Sequence, residues 1–196
     1  MTFAQMLPLS FRPEGERRSG AIKMTKDKIP MIAIVGAGAW GKNLIRNYHQ
    51  LGALKLVCDA NEVTLAQLKQ EYLNLETCLS FTDILTNSSI QGIVIASPSE
   101  THFSLAREAL LAGKHTYVEK PMALHDGEGE ELVRLAQEKN LILMVGHLLQ
   151  YHPVFMRLKE LVRSGELGRI NYIYSHRLNL GKIRRQENAL WSFAPP

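Results

Sequence analysis

Residues 31–43, Met-Ile-Ala-Ile-Val-Gly-Ala-Gly-Ala-Trp-Gly-Lys-Asn, decide the fold of this chain. The first five are continuously apolar, which predicts a buried strand. Residues 40–51 then carry apolar side chains at helical spacing, with Leu44, Ile45 and Tyr48 on one face. The glycines therefore lie in the turn between a strand and a helix, which is the context that a G-x-G-x-x-G motif requires.

Each glycine of this turn has a physical reason. Gly36 permits the tight turn, Gly38 lets a pyrophosphate approach the backbone, and Gly41 allows the helix to pack closely on the strand. The start of the helix, at Ala39 and Trp40, offers free N–H groups and the positive end of the helix dipole to phosphates. The motif predicts a dinucleotide-binding loop.

An acidic residue follows at the distance that such a loop needs. Asp59 comes directly after the second predicted strand, Leu54–Cys58, and lies 18 residues beyond Gly41. A carboxylate there accepts hydrogen bonds from ribose hydroxyls and repels a 2′-phosphate, and no arginine follows in residues 60–62. This favours NAD over NADP as cofactor. A glycine turn beside an unrelated surface acid is the alternative.

The rest of residues 29–147 alternates apolar runs with amphipathic segments, which predicts an α/β fold with a doubly wound parallel sheet of the Rossmann type. Further strands are predicted at residues 91–96, 115–119 and 141–145, the last as the sixth strand, and helices at residues 63–73 and 126–139. Ser97 is expected to cap a helix that begins at Pro98, with Glu100 completing a capping box, and that ends at Gly113.

Three polar side chains follow predicted strands or begin a helix. Lys120, in Glu119-Lys120-Pro121, lies at the carboxyl end of a strand, where ligands bind in open α/β sheets. It can hydrogen-bond a substrate hydroxyl, or it can be an ordinary exposed lysine. His147 follows the next strand and points to the same rim, and His102 either flanks the dinucleotide or solvates its turn. The histidines and cysteines show no metal-binding spacing, so no metal is predicted.

The ends of the chain differ from its middle. Residues 1–28 are predicted to be a disordered N-terminal extension, with Met24 as a candidate translation start. Residues 148–196 are predicted to begin a second domain, with a helix at Pro153–Arg163 closed by Gly165. A long strand is expected at residues 170–180, where an unpaired edge would favour aggregation or pairing with another chain.

Composition bounds the class of protein. The 196 residues are 45% hydrophobic and 21% charged, as in globular proteins. Residues 1–30 supply +3 of the net charge of +4, so the rest lacks the basic face of a nucleic-acid binder. No apolar run is long enough to cross a bilayer, which predicts no membrane partner and a cytoplasmic protein. Cys58 and Cys78 are expected to be buried, reduced thiols.

Taken together, these motifs resemble the Gfo/Idh/MocA family of oxidoreductases. The matching pieces are residues 36–43, Ser97-Pro98 with Thr101-His102, Glu119-Lys120-Pro121 and Gly146-His147. The resemblance implies an NAD-binding Rossmann domain, a sugar-like substrate, a homo-oligomeric full-length form and Lys120 as the catalytic residue. The cofactor-binding residues that it implies are Gly36, Gly38, Ala39, Trp40, Gly41, Asp59, Ser97, Pro98, His102, Glu119 and Lys120.

Residues 40–43, 146–153 and 179–184 are similar to a narrower branch that oxidises the 3-hydroxyl of nucleotide-linked amino sugars. This implies His147, Tyr151, Lys182 and Arg184 as substrate contacts. In that branch a His-Asp pair follows the Ala-Pro that here stands at residues 194–195, and its histidine is the expected acid–base partner of the lysine. Because this pair is not among residues 1–196, little or no turnover is expected of these residues alone. A non-catalytic NAD-binding or partner-binding module is the alternative.

Overall fold

A computed structural model describes residues 29–174 and 176. The strands are β1 Ile32–Val35, β2 Leu54–Cys58, β3 Glu76–Cys78, β4 Gly92–Ile95, β5 His115–Val118 and β6 Leu143–Val145. The helices are α1 Gly41–Gln50, α2 Glu62–Glu71, α3 Phe81–Thr86, α4 His102–Leu111, α5 Asp126–Glu138 and α6 Pro153–Arg163. Short 3-10 helices cover Ser99–Thr101 and Leu148–Tyr151.

The six strands form one parallel sheet in the order β3-β2-β1-β4-β5-β6. The chain moves outward in one direction from β1 to β3 and then returns to continue on the other side of β1 at β4. The order reverses between β1 and β4, and ligands of such sheets bind outside the carboxyl ends of the strands at that point. The predicted doubly wound Rossmann-type sheet is confirmed.

Both faces of the sheet are buried, because alternate residues of each strand point to opposite sides. Ala33 and Val35 of β1 belong to one apolar cluster, which also contains residues of α4 and α5. Ile34, between them, belongs to a second cluster together with Leu44 and Ile45 of α1. This explains why the central strands read as continuous apolar runs rather than as alternating ones.

Most predicted elements lie where the sequence places them. β2 and α6 have the predicted bounds, and α1, α2, β4, β5, α5 and β6 differ by no more than two residues at each end. Gly113 and Gly165 both adopt positive φ just beyond α4 and α6, as expected of residues that end helices. β3 and α3 were not located from the sequence. Each is six residues long or shorter, which leaves little periodicity to detect.

The predicted start of α4 is wrong. Pro98 has φ −58° and ψ 144°, which is extended rather than helical. The chain passes through the 3-10 turn Ser99–Thr101 before α4 begins at His102, and Thr101 precedes it without a side-chain cap. The hydroxyl of Ser97 bonds instead to that of Thr101 at 2.7 Å. Ser97 and Glu100 therefore form no capping box, because the helix starts four residues beyond the predicted position.

The long strand predicted at residues 170–180 is also not found in its described part. Residues 170–174 are irregular and exposed. Alternating side chains are not enough for a strand, which also needs a neighbour to pair its backbone groups. Among the described residues, every strand pair lies within the sheet formed by β1, β2, β3, β4, β5 and β6, so no strand pairs with this segment. The predicted tail at residues 1–28, and Lys182 and Arg184, lie outside the described residues.

Two further findings concern the described residues alone. No helix in this part of the chain is long and apolar enough to cross a membrane. Cys58 is buried and Cys78 is half-buried, and both are free thiols. Burial, followed by the neighbouring Cys78, raises the pKa of the Cys58 thiol to about 12. The predicted burial is thus confirmed for Cys58, whereas Cys78 is only half-buried.

Candidate active site

The glycine turn joins β1 to α1 at the carboxyl edge of the sheet. Gly36 has φ +95°, and a Cβ there would lie 2.7 Å from the backbone of Ala96 and Ser97 at the end of β4. At Gly41 a Cβ would lie 2.0 Å from the carbonyl oxygen of Gly36. Only glycine fits at either position, because both the turn and the start of the helix are pressed against neighbouring backbone.

Gly38 differs from the other two glycines of the motif. A Cβ at this position would meet nothing within 4 Å. The residue is exposed, and so are Ala39 and Trp40 after it. No side chain caps the start of α1, and no acidic residue lies in its first turn. The turn thus leaves open space before the positive end of a helix, which suits an anionic group.

Asp59 lies beside this space. Its Oδ2 accepts a hydrogen bond from the backbone N–H of Ala37 at 2.7 Å, and its Oδ1 accepts one from the backbone N–H of Asn61 at 2.8 Å. The carboxylate is half-buried and is held against the glycine turn from the neighbouring strand. Since a carboxylate offers about four acceptor sites, both oxygens can accept further bonds from a ligand's hydroxyls.

Glu119 joins the glycine turn to the end of β5. This side chain is only 8% exposed, and its Oε1 accepts two hydrogen bonds. One comes from the indole Nε1 of Trp40 at 2.7 Å and the other from the hydroxyl of Tyr117 at 2.8 Å. Gly146 makes room for them, since a Cβ there would lie 2.5 Å from the Tyr117 hydroxyl and 2.8 Å from Oε1.

Tyr117 remains a hydrogen-bond donor at neutral pH. Burial, followed by the hydrogen bond to Glu119 and the charge of its carboxylate, raises the pKa of the Tyr117 phenol. This residue was not selected for the site from the sequence. The available signal was strand alternation, because residues 117 and 119 point to the same side.

Lys120 follows β5 at the same edge of the sheet. Its side chain is half-buried, and its peptide bond to Pro121 is cis. The backbone N–H of Lys120 lies 3.3 Å from Oε2 of Glu119. His147, also half-buried, follows β6, the neighbour of β5, so the predicted common rim is confirmed for the backbone positions of both residues.

His102 is a buried residue that connects two loops. It is 2% exposed, with Nδ1 2.6 Å from the carbonyl oxygen of Pro121 and Nε2 2.9 Å from that of Ser97. The expectation that it solvates its turn is wrong, because the side chain is enclosed. Both ring nitrogens face protein carbonyls, so any contribution of His102 to cofactor binding is through the loops that it joins.

The structure brings most of the predicted site residues to one edge. The residues placed there are Gly36, Gly38, Ala39, Trp40, Gly41, Asp59, Ser97, Pro98, Glu119, Lys120 and His147, with His102 buried behind them. Tyr151 lies farther along the chain in the 3-10 helix Leu148–Tyr151 and is 64% exposed. Among the described residues there is no cluster of three or more side chains suited to a metal ion.

Comparison with known proteins identifies the domain that carries this site. Residues 31–147 match the model of a family described as an oxidoreductase family with an NAD-binding Rossmann fold, GFO_IDH_MocA. The chain belongs to the Gfo/Idh/MocA oxidoreductase family. The resemblance based on the glycine loop, Glu119-Lys120-Pro121 and Gly146-His147 is thereby confirmed at the level of the family.

Two curated relatives of known activity are similar to the chain. It is 30% identical over 146 residues to UDP-N-acetylglucosamine 3-dehydrogenase of Acidithiobacillus ferrooxidans, covering 74% of this chain and 44% of that protein. It is 29% identical over 125 residues to the NADP⁺-dependent scyllo-inositol 2-dehydrogenase IolW of Bacillus subtilis, covering 64% and 34%. The chain thus spans less than half the length of either relative.

Solved structures give the same picture. The WlbA dehydrogenase of Bordetella pertussis, in complex with NADH and UDP-GlcNAcA, superposes with a TM-score of 0.68 at 28% identity. The match covers 73% of this chain and 43% of the WlbA chain. The scyllo-inositol dehydrogenase of Lactobacillus casei with NAD(H) and scyllo-inositol has a TM-score of 0.67 at 28% identity, with 72% and 43% covered.

Proposed function

We propose that this chain binds NAD(H) at the carboxyl edge of its sheet, as the cofactor-binding part of a dehydrogenase that oxidises a hydroxyl group of a sugar or nucleotide sugar. The observation that carries the proposal is the open space at Gly38, between the uncapped start of α1 and the Asp59 carboxylate. Lys120 follows a strand at the same edge.

The residues around this space fit a dinucleotide. Backbone N–H groups of residues 38–40 would hold the pyrophosphate, since a helix start with free donors stabilises phosphate charge. Asp59 would accept hydrogen bonds from the hydroxyls of the adenosine ribose through the acceptor sites that Ala37 and Asn61 leave open. A 2′-phosphate would lie against the same carboxylate, which favours NAD over NADP.

Lys120 is the proposed catalytic residue. Its side chain would hydrogen-bond the substrate hydroxyl and, as the neutral amine, accept the hydroxyl proton while the hydride leaves the carbon that bears that hydroxyl. When NAD⁺ is bound, its nicotinamide supplies the hydride acceptor for the oxidation. The cofactor loop follows β1 and the lysine follows β5, and only β4 separates these strands at the same edge of the sheet, so the position of Lys120 suits a substrate carbon held near such an acceptor.

A nucleotide-linked amino sugar is the proposed substrate class, with oxidation at the 3-hydroxyl. Support comes from similarity to UDP-N-acetylglucosamine 3-dehydrogenase and to the WlbA dehydrogenase. A cyclic polyol is the other class that such relatives act on. His147, Tyr151, Lys182 and Arg184 are the proposed substrate contacts, to be tested by their effect on sugar binding rather than on NADH binding.

We further propose that residues 29–147 form the cofactor domain, that residues 148–196 begin a substrate domain, and that the full-length form is a homo-oligomer in the cytoplasm. The domain division is supported by the end of the family match at residue 147. The cofactor proposal can be tested separately from these proposals, because the test needs neither a sugar substrate nor turnover.

The test is titration of the chain with NADH and NADPH, followed by nucleotide fluorescence. We expect NADH to bind at least roughly tenfold more tightly than NADPH, since the 2′-phosphate would face Asp59. Asp59→Asn removes the charge and keeps one acceptor oxygen, and we expect it to reduce that preference to within about threefold.

Glu108→Gln is the matched control, because it also removes one carboxylate charge and the exposed Glu108 lies near the end of α4, which leads to the start of β5 at the opposite edge of the sheet. It should keep the preference of the parent chain. Equal affinity of the parent chain for both nucleotides would contradict the role of Asp59, and no binding of either would refute the proposed function itself.

A further inference from the structure

A hydrogen-bonded bridge connects the glycine turn with the lysine strand. Glu119 receives the Trp40 indole N–H at 2.7 Å and the Tyr117 hydroxyl at 2.8 Å on the same oxygen. Trp40 stands 79 residues before Glu119, directly before α1, whereas Tyr117 lies in β5. One buried carboxylate oxygen therefore binds two segments that β4 separates in the sheet.

The direction of the Trp40 side chain is informative. Trp40 is 44% exposed, yet its only polar atom donates inward to a side chain that is 8% exposed. A tryptophan that served only to cover apolar surface would not need this bond. A hydrogen bond to a charged, buried acceptor is stronger than one between neutral groups and fixes the orientation of the indole.

The bridge also reaches Lys120. The other oxygen of Glu119, Oε2, lies 3.3 Å from the backbone N–H of Lys120. The same carboxylate thus contacts the residue before α1 through Oε1 and the lysine backbone through Oε2. The Glu119 carboxylate is therefore the group through which the position of Trp40 is linked to the backbone that carries the lysine. The packing of Gly146 against Oε1 and the Tyr117 hydroxyl limits the alternatives that Glu119 can adopt.

We propose that Trp40, Tyr117 and Glu119 are positioning residues that couple the occupancy of the glycine turn to the placement of the Lys120 amine. The inference rests on the proposed function, since a dinucleotide is the ligand expected at the turn. A ligand that orders residues 38–40 orders Trp40 with them, and the bridge carries this to Lys120. The lysine then reaches its working position only with cofactor in place.

The experiment measures how fast the Lys120 amine reacts with trinitrobenzenesulfonate, with and without NADH, by mass spectrometry of the labelled peptide. In the parent chain we expect saturating NADH to change the rate by about tenfold. Trp40→Phe keeps an aromatic ring and removes only the N–H donor. Tyr117→Phe removes the second donor without touching the glycine turn. We expect Tyr117→Phe to bind NADH as the parent chain does and to reduce the rate change to about threefold or less, and we expect the same reduction in Trp40→Phe at an NADH concentration that saturates that variant.

Tyr72→Phe is the control, because it also removes one tyrosine hydroxyl but at the end of α2, from a residue that takes no part in the bridge. It should keep the full effect of NADH. Circular dichroism checks that each variant is folded, and Tyr117→Phe decides the matter if Trp40→Phe is not. A parent-like effect of NADH in both donor variants would overturn the inference while leaving the proposed function intact. Failure of the parent chain to bind NADH would refute both.

Discussion

Residues 31–147 and residues 148–174 both contain helices, but these regions differ in burial. In the first region, every hydrophobic residue of the core lies between Ala33 and Ala136. In the second, α6 has no buried residue, and Val154 is 71% exposed. α6 forms nonetheless, with Pro153 in its first turn and His152 accepting a bond from the N–H of Val154. Local signals are therefore enough to define this helix, whereas the sheet depends on contacts between distant segments.

The largest expected effect tests the burial in the first region. Leu132 of α5 is 0% exposed and belongs to the cluster on one face of the sheet. Leu132→Ala removes three buried carbon atoms and leaves a cavity, so we expect it to lower the free energy of unfolding by about 2–5 kcal/mol. Urea unfolding followed by circular dichroism measures the change. A loss below about 1 kcal/mol would mean that the cluster is loosely packed.

A smaller effect separates folding from binding within the glycine turn. Gly41→Ala places a Cβ 2.0 Å from the Gly36 carbonyl oxygen, so we expect a loss of about 1–3 kcal/mol in the free energy of unfolding. Gly38→Ala meets no atom within 4 Å and should change that free energy by less than about 0.5 kcal/mol. It should nevertheless weaken NADH binding about tenfold, because the methyl group occupies the proposed phosphate space.

Thermal unfolding and NADH fluorescence together check this pair of variants. Alanine at residue 127, where a Cβ also meets nothing within 4 Å, is the control for an open glycine outside the turn. Gly127→Ala should keep the NADH affinity of the parent chain, and because residue 127 lies in α5, the free energy of unfolding should stay the same or rise by up to about 1 kcal/mol. NADH affinity that is unchanged in Gly38→Ala would show that the open space is not where the dinucleotide binds.

The sequence predicted those parts of the fold that depend on local patterns. Buried strands such as β2 and amphipathic helices such as α6 were located with their bounds, because periodicity and end signals agree there. β3 and α3 are too short for such a signal. At residues 170–174 alternation alone was misleading, since a strand is defined by its partner and not by its own residues.

The candidate site divides in the same way. The glycine turn and Asp59 were located by spacing, whereas Lys120 was noted after a strand and its proposed role came from the family resemblance; each of them follows a strand whose end lies at the edge of the sheet. The contacts of Glu119 with Trp40 and Tyr117 were not predicted. No pattern along the chain indicates a bond such as the one between Glu119 and Trp40, which are 79 residues apart. Similarly, the burial of His102 depends on a loop 19 residues away, at Pro121.

The smallest expected effect returns to the second region and uses the same chemical change as the first prediction. Leu158 of α6 is 46% exposed, so Leu158→Ala loses little burial and leaves no cavity. Alanine also has a slightly higher helix propensity than leucine, which offsets part of the remaining loss. We expect the free energy of unfolding to change by less than about 0.5 kcal/mol in the same urea experiment.

The contrast between Leu132→Ala and Leu158→Ala therefore measures burial with side-chain chemistry held constant. If Leu158→Ala cost about 2 kcal/mol or more, α6 would have to pack against another surface in solution, since exposed positions do not produce losses of that size. A dependence of that loss on protein concentration would assign the surface to a second copy of the chain, whereas no dependence would assign it to the chain itself.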